Sequence, residues 1–145
     1  MKKILFLCTG NYYRSRFSEE YFNHHAKSQS LAWIADSMGI QRSFVGNGNV
    51  GPIAVNTLNK LSELGIQPSG HQRMPKKVLV EHFREFDRVI AVSLDEHKPM
   101  LAELWDQDVL SKVEYFDVED LHIEGPETAL PRLIVHLDKL LSSIE

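Results

Sequence analysis

A single cysteine stands early in the chain, in the run Cys8-Thr9-Gly10-Asn11-Tyr12-Tyr13-Arg14-Ser15, with five residues separating Cys8 from Arg14. Five residues can curl so that successive backbone N–H groups point inward, making a nest for a tetrahedral oxyanion. A helix beginning at Arg14 would add the partial positive charge of its N-terminus. Gly10 and Asn11 tolerate the positive φ angles that such a curl demands. Arg14 can hold two oxygens of one phosphate in its planar fork, which lysine cannot do. The same field favours the thiolate form of Cys8, the form that acts as a nucleophile, and the Ser15 hydroxyl is within reach to donate to it. Cys-x5-Arg alone is common by chance. Here the context strengthens it: a buried strand before, a helix after, and the only thiol in the chain.

The surrounding elements must hold that loop. Residues 4–7 (Ile4-Leu5-Phe6-Leu7) form a short apolar run and read as a buried parallel strand. From Arg14 the chain favours helix, with Phe17, Tyr21 and Phe22 at helical spacing. Residues 31–35 predict a second strand and residues 36–51 a long loop. Pro52 suits the first turn of a helix whose stripe is Ile53, Ala54, Leu58, Leu61 and Leu64, with Gly65 as its cap. A short helix is expected over 76–84, a third strand over 86–92, a helix around Met100, Leu101 and Leu104, and a fourth strand over 113–116. The last helix carries Leu130, Leu133, Ile134, Leu137, Leu140, Leu141 and Ile144, with Pro131 tolerated in its first turn. Strands alternating with helices predict an α/β fold, a four-stranded parallel sheet with helices on both faces. Cys8 then lies outside the carboxyl end of the first strand, where such folds bind ligands.

Bulk properties limit the alternatives. The chain has 145 residues, 43% hydrophobic and 25% charged, with a formal charge of −4. That suits one domain spanning 1–145 and argues against nucleic acid as a partner, which needs a basic face. One cysteine allows no intrachain disulfide, so a reducing cytoplasm fits. Met1-Lys2-Lys3 before residues 4–7 resembles a signal sequence, but the apolar run is too short for one, and no segment is long enough to span a membrane. Gly46-Asn47-Gly48-Asn49-Val50-Gly51 fits the dinucleotide fingerprint without its strand or its downstream acid, and reads as a loop. His24-His25 has no companion ligands, so no metal is expected.

The stretch Leu7-Cys8-Thr9-Gly10-Asn11-Tyr12-Tyr13-Arg14-Ser15 resembles the phosphate loop of the low-molecular-weight protein tyrosine phosphatases and the arsenate reductases related to them. Ala35-Asp36-Ser37-Met38-Gly39, Val50-Gly51-Pro52, Ser69-Gly70-His71-Gln72-Arg73 and Phe86-Asp87-Arg88-Val89-Ile90 resemble further segments of that family. The resemblance implies a phosphocysteine mechanism without cofactor or metal. Cys8 is its nucleophile, Arg14 clamps the phosphate, and Asp120 is the general acid, with Asp117 and Glu119 as nearby alternatives. Leu121 stands where the family usually has Pro. It also implies that Asn11, Ser37 and His71 hold the loop, and that Thr9, Gly10, Asn11, Tyr12, Tyr13, Ser15 and Phe44 meet the substrate. That substrate would be a phosphotyrosine protein or a small aryl phosphate. Tyr13 replaces the family's second cysteine, so no protective disulfide can form. The rings of Tyr12 and Tyr13 either line the mouth, narrow the pocket or pack on the following helix. Ser93 falls near a position often held by Asp. Two other readings follow from these departures: a weakly catalytic phosphate-binding module, and an arsenate reductase resolved by an external thiol.

Overall fold

The computed structural model describes residues 1–118 and 125–144. Its centre is a four-stranded sheet of β1 (Lys2–Cys8), β2 (Trp33–Gly39), β3 (Arg88–Ala91) and β4 (Val113–Tyr115). The strands lie in the order β2-β1-β3-β4, and every pair is parallel. The helices are α1 (Arg14–Ser28), α2 (Val55–Glu63), α3 (His82–Glu85), α4 (Leu94–Leu104), α5 (Gln107–Leu110) and α6 (Pro126–Ser143).

The period-two alternation of β1 splits the core into two. Ile4, Phe6 and Cys8 face a cluster with Phe17 and Phe22 of α1, Leu61 of α2 and Leu133 and Leu137 of α6. Leu5 and Leu7 face the other, with Phe83 of α3, Leu101 of α4 and Leu110 of α5. Both faces of the strand are therefore covered, which is why residues 4–7 are uniformly apolar. From β1 the chain first moves outward to β2, then returns across to β3 on the opposite flank. The order reverses at β1, so its carboxyl end, where Cys8 sits, is the crevice of the sheet.

Several boundaries differ from those expected. β2 starts at Trp33 and continues to Gly39, through a stretch whose Asp36 and Ser37 suggest a loop. Pairing of Leu5 with Asp36 and Phe6 with Ser37 keeps that backbone in the ladder, while the two polar side chains find partners beyond the sheet. Gly39 must lack a Cβ, because one would lie 2.8 Å from the Phe44 ring and 3.0 Å from the Asn11 amide. α2 begins at Val55, after Pro52, and ends at Glu63, with Gly65 just past its cap at φ +74°. Of the stretch 76–84 only residues 82–84, in α3, are helical; Lys77 instead bridges to Gly39 at the end of β2. α6 starts at residue 126, so Pro131 falls inside the helix, past its first turn. Among the described residues no helix is long and apolar enough to cross a membrane.

Candidate active site

β1 ends at Cys8 and α1 begins at Arg14, so the intervening loop is the turn from strand to helix. Asn11 takes the left-handed conformation that lets the chain curl, at φ +50°; Gly10 does not. The outer carbonyls are tied down: Cys8 O accepts from Ile40 N (2.9 Å) and Thr9 O from Gln41 N (3.0 Å). Tyr12 O accepts from Ala54 N at 2.9 Å, and Tyr13 O from the Thr57 hydroxyl at 3.0 Å. Among the described residues the amides of Thr9, Gly10, Asn11 and Tyr12 donate to no backbone carbonyl. No side chain caps α1, and its first turn carries no acid. These are the features of an anion-binding helix start.

The loop floors a cavity of about 150 Å³ lined by Cys8, Thr9, Gly10, Tyr12, Tyr13 and Arg14, with Gln41, Asn47 and Asn49 at its rim. Cys8 Sγ lies 3.0 Å from Ser15 Oγ, and Asn11 Nδ2 donates to that same hydroxyl oxygen at 2.9 Å. The Ser15 hydrogen is thereby left to donate to a thiolate. Asn11 is fully buried, and all four of its side-chain positions are used. Its amide also donates to Ser37 Oγ (2.9 Å), and its carbonyl accepts from Arg73 Nη1 and Lys76 N, each at 2.9 Å. Ser37 in turn donates to Glu19 Oε1 at 2.6 Å and accepts from Arg73 Nη2 at 2.8 Å. A buried polar network satisfied to this degree holds its members rigidly.

Some expected contacts are absent. His71 makes none of these hydrogen bonds; Arg73, two residues on, supplies the cation because its longer fork reaches Asn11, Ser37 and Glu19 together. Asn11 and Ser15 stand behind the loop, outside the lining of the cavity. Phe44 packs its ring on Gly39 and is also outside that lining. Tyr13 is 4% exposed and belongs to the core with Phe17, one edge meeting the cavity. Tyr12 stays at the mouth, its hydroxyl donating to Val50 O at 2.7 Å.

Asp120, Glu119 and Leu121 lie outside the described residues. Asp117 is described and is ill suited to give up a proton. Its carboxylate accepts from His136 at 2.5 Å and pairs with Arg132 at 3.0 Å. The His136 hydrogen bond, helped by the Arg132 charge, holds it below the usual carboxylate range despite some desolvation. Val118 itself lies beside Arg14, whose Nη1 donates to Val118 O at 2.9 Å. Among the described residues no group of His, Cys, Asp or Glu could hold a metal ion.

Four residues of the site were not singled out from the sequence. Arg16, 1% exposed, donates to the carbonyls of Pro52 (2.6 Å), Gly70 (2.7 Å), Arg73 (3.1 Å) and Asn11 (3.4 Å). Burial, with the neighbouring Arg73 charge, lowers it to about 10. Arg73 is the second. Glu96 and His97, on the first turn of α4, are the others, and they meet Arg14 and Thr9. The pattern Ser93-x-x-Glu96 is the signal that could have located them, since it marks a helix start. The Ser93 side chain does accept from Glu96 N, at 3.2 Å.

His97 carries a consequence for acid stability. Burial, and then the Arg14 charge, push its imidazole from 6.5 down to about 3. The unfolded chain binds a proton below about 6.5 that the folded chain refuses until about 3. Stability is therefore complete above that window and lost as pH falls through it, by at most about 1.4 kcal/mol per pH unit. Thermal unfolding across this range should show a shallower decline in His97→Gln than in wild type; parallel profiles would dismiss the assignment.

A strand–loop–helix that ends in a thiol, opens on an arginine and encloses an anion-sized cavity at the switch point of a parallel sheet defines a phosphate-loop protein built for cysteine chemistry. The comparisons narrow the class. The family model for low molecular weight phosphotyrosine protein phosphatase matches residues 3–131, and the chain belongs to that family, whose chemistry is cysteine-based phosphate-ester hydrolysis. Its fold is similar to YfkJ from Bacillus subtilis (TM-score 0.83, 25% identity), covering 99% of this chain and 94% of that one. It is similar also to a low molecular weight protein tyrosine phosphatase from T. tengcongensis (0.76, 26%), covering 99% and 100%. SP-PTP of Streptococcus pyogenes shares the fold (0.78, 24%), with 100% and 94% covered. No curated protein sequence is matched.

Proposed function

We propose that the protein hydrolyses phosphotyrosine in proteins, or a small aryl phosphate, through a phosphocysteine intermediate. The observation that carries this reading is Cys8 Sγ at the cavity floor, 3.0 Å from the Ser15 hydroxyl and beside Arg14. Cys8 thiolate attacks phosphorus in line, forming the S–P bond as the ester oxygen leaves. Asp120 protonates that oxygen and then, as base, takes a proton from the water that cleaves the phosphocysteine to inorganic phosphate. Arg14 and the amides of residues 9–13 stabilise the equatorial oxygens. No step calls for a metal. Asp117 is a poor substitute for Asp120 in that role, because its carboxylate is held charged by His136 and Arg132. The lone thiol suits a reducing, cytoplasmic setting.

Hydrolysis of an aryl phosphate from acidic to neutral pH tests the reading. Wild type should turn over, and Asp120→Asn should lose about 10²–10⁴-fold in kcat. Wild type that binds phosphate but never hydrolyses the ester would favour a binding module; thiol-dependent release of arsenite from arsenate would favour the reductase.

A further inference from the structure

Arg14 is 2% exposed and meets Glu96 through two hydrogen bonds, Nη1 to Oε2 at 3.0 Å and Nη2 to Oε1 at 3.2 Å. Glu96 lies more than eighty residues along the chain, on α4. We infer that Glu96 is the positioning residue of the phosphate-loop arginine, and that Thr9 and His97 fix Glu96 for that task. This rests on the phosphatase reading of the same site.

The hydrogen-bond directions follow from counting protons. Ser93 N donates to His97 Nδ1 at 3.1 Å, so the neutral ring carries its hydrogen on Nε2. Nε2 lies 3.1 Å from Thr9 Oγ1 and must donate to it. The Thr9 hydroxyl then gives its one hydrogen to Glu96 Oε1. The carboxylate accepts from Thr9 on one side and from the Arg14 fork on the other, and all of the chain runs toward Glu96. Burial alone would raise this carboxyl, but the hydrogen bonds and charge of Arg14, with Thr9, hold it below the usual range. Ser93, whose oxygen caps α4, supplies no carboxylate at its own position; Glu96, one turn further, supplies it instead.

The arrangement serves the reaction rather than the fold alone. Arg14 is gripped at its outer edge by Glu96 and by Val118 O, so its orientation is set before a phosphoryl group arrives. Donors fixed in advance stabilise transition-state charge without reorganising. Glu96 also offsets one positive charge next to a cradle for a dianion. Its neutral replacement should therefore spare ground-state phosphate binding while weakening the transition state.

The test is Glu96→Gln, which is isosteric, beside Glu96→Asp. For Glu96→Gln we expect kcat on an aryl phosphate to fall about 10- to 100-fold, while the dissociation constant of inorganic phosphate, read by calorimetry, moves no more than about threefold. Glu96→Asp, shorter by one methylene, should fall between the two. In an Arg14→Lys background Glu96→Gln should cost less than about threefold, because an ammonium offers no planar fork for Glu96 to orient toward the phosphate. Unchanged kcat, an equal loss in both backgrounds, or phosphate affinity falling in step with kcat would overturn the inference. Should wild type prove inactive, the phosphatase reading fails by itself. Vanadate, which mimics the five-coordinate phosphorus, still reports on Glu96: about tenfold weaker binding in the Gln variant, or in the Asp variant if Gln does not fold, supports the role, and equal binding removes it.

Discussion

Cys8→Ser is expected to abolish aryl-phosphate turnover, by at least about 10⁴-fold, with inorganic phosphate still bound. A serine hydroxyl does not ionise near neutral pH and needs a neighbouring base to attack. Among the described residues none is placed to serve: the Ser15 hydroxyl is a donor here, and His97 presents its N–H to Thr9. Losing the nucleophile also removes the phosphocysteine step, and residues acting as a unit lose most of their effect when one is missing. The loop amides and Arg14 do not depend on the sulfur, so the anion site survives. Steady-state rates and phosphate calorimetry on the same preparation check both halves. Turnover retained within tenfold of wild type would mean that Cys8 is not the nucleophile.

Arg14→Lys should cost about 10²–10³-fold in kcat/KM, the scale of losing a preorganised donor to developing charge. A guanidinium can face Glu96 with one edge, Val118 O with a corner and the phosphate with what remains of its fork. An ammonium is a compact point charge on a flexible stem and cannot span those partners. Drawn to the Glu96 carboxylate, it would leave the equatorial oxygens. The charge is conserved, so a large loss would isolate geometry from electrostatics. A loss below about fivefold would show that a point charge suffices.

Much of this site is legible in the sequence, because its core is local. Residues 4–7, Cys8, Arg14 and the helical stripe after it lie within one strand, one turn and one helix, and patterns of that range are what sequence spacing reports. From sequence β2 reads short because Asp36 and Ser37 are polar; their partners, Lys76 and Asn11, come from other segments, and no local pattern names them. The resemblance implies a loop-holding role for His71 and is silent on Arg73, whose longer side chain is the one that reaches Asn11 and Ser37. The Ser93-x-x-Glu96 pattern marks Glu96 as part of a helix start, but not as a partner of Arg14, which it touches only because β3 lies beside β1. The family resemblance places Phe44 in the pocket, whereas the absence of a Cβ at Gly39 gives its ring a seat elsewhere.

Arg16 fastens the carbonyls of Asn11, Pro52, Gly70 and Arg73, joining the phosphate loop to two segments distant in sequence. None of these acceptors can be released without stranding part of a buried cation in a poorly hydrated place. The three segments therefore behave as one cooperative unit: brief openings of the native state expose all of them or none. The cradle cannot loosen on its own while the rest of the molecule stays shut, and its shape is as durable as the least durable of the strands of chain that Arg16 binds together.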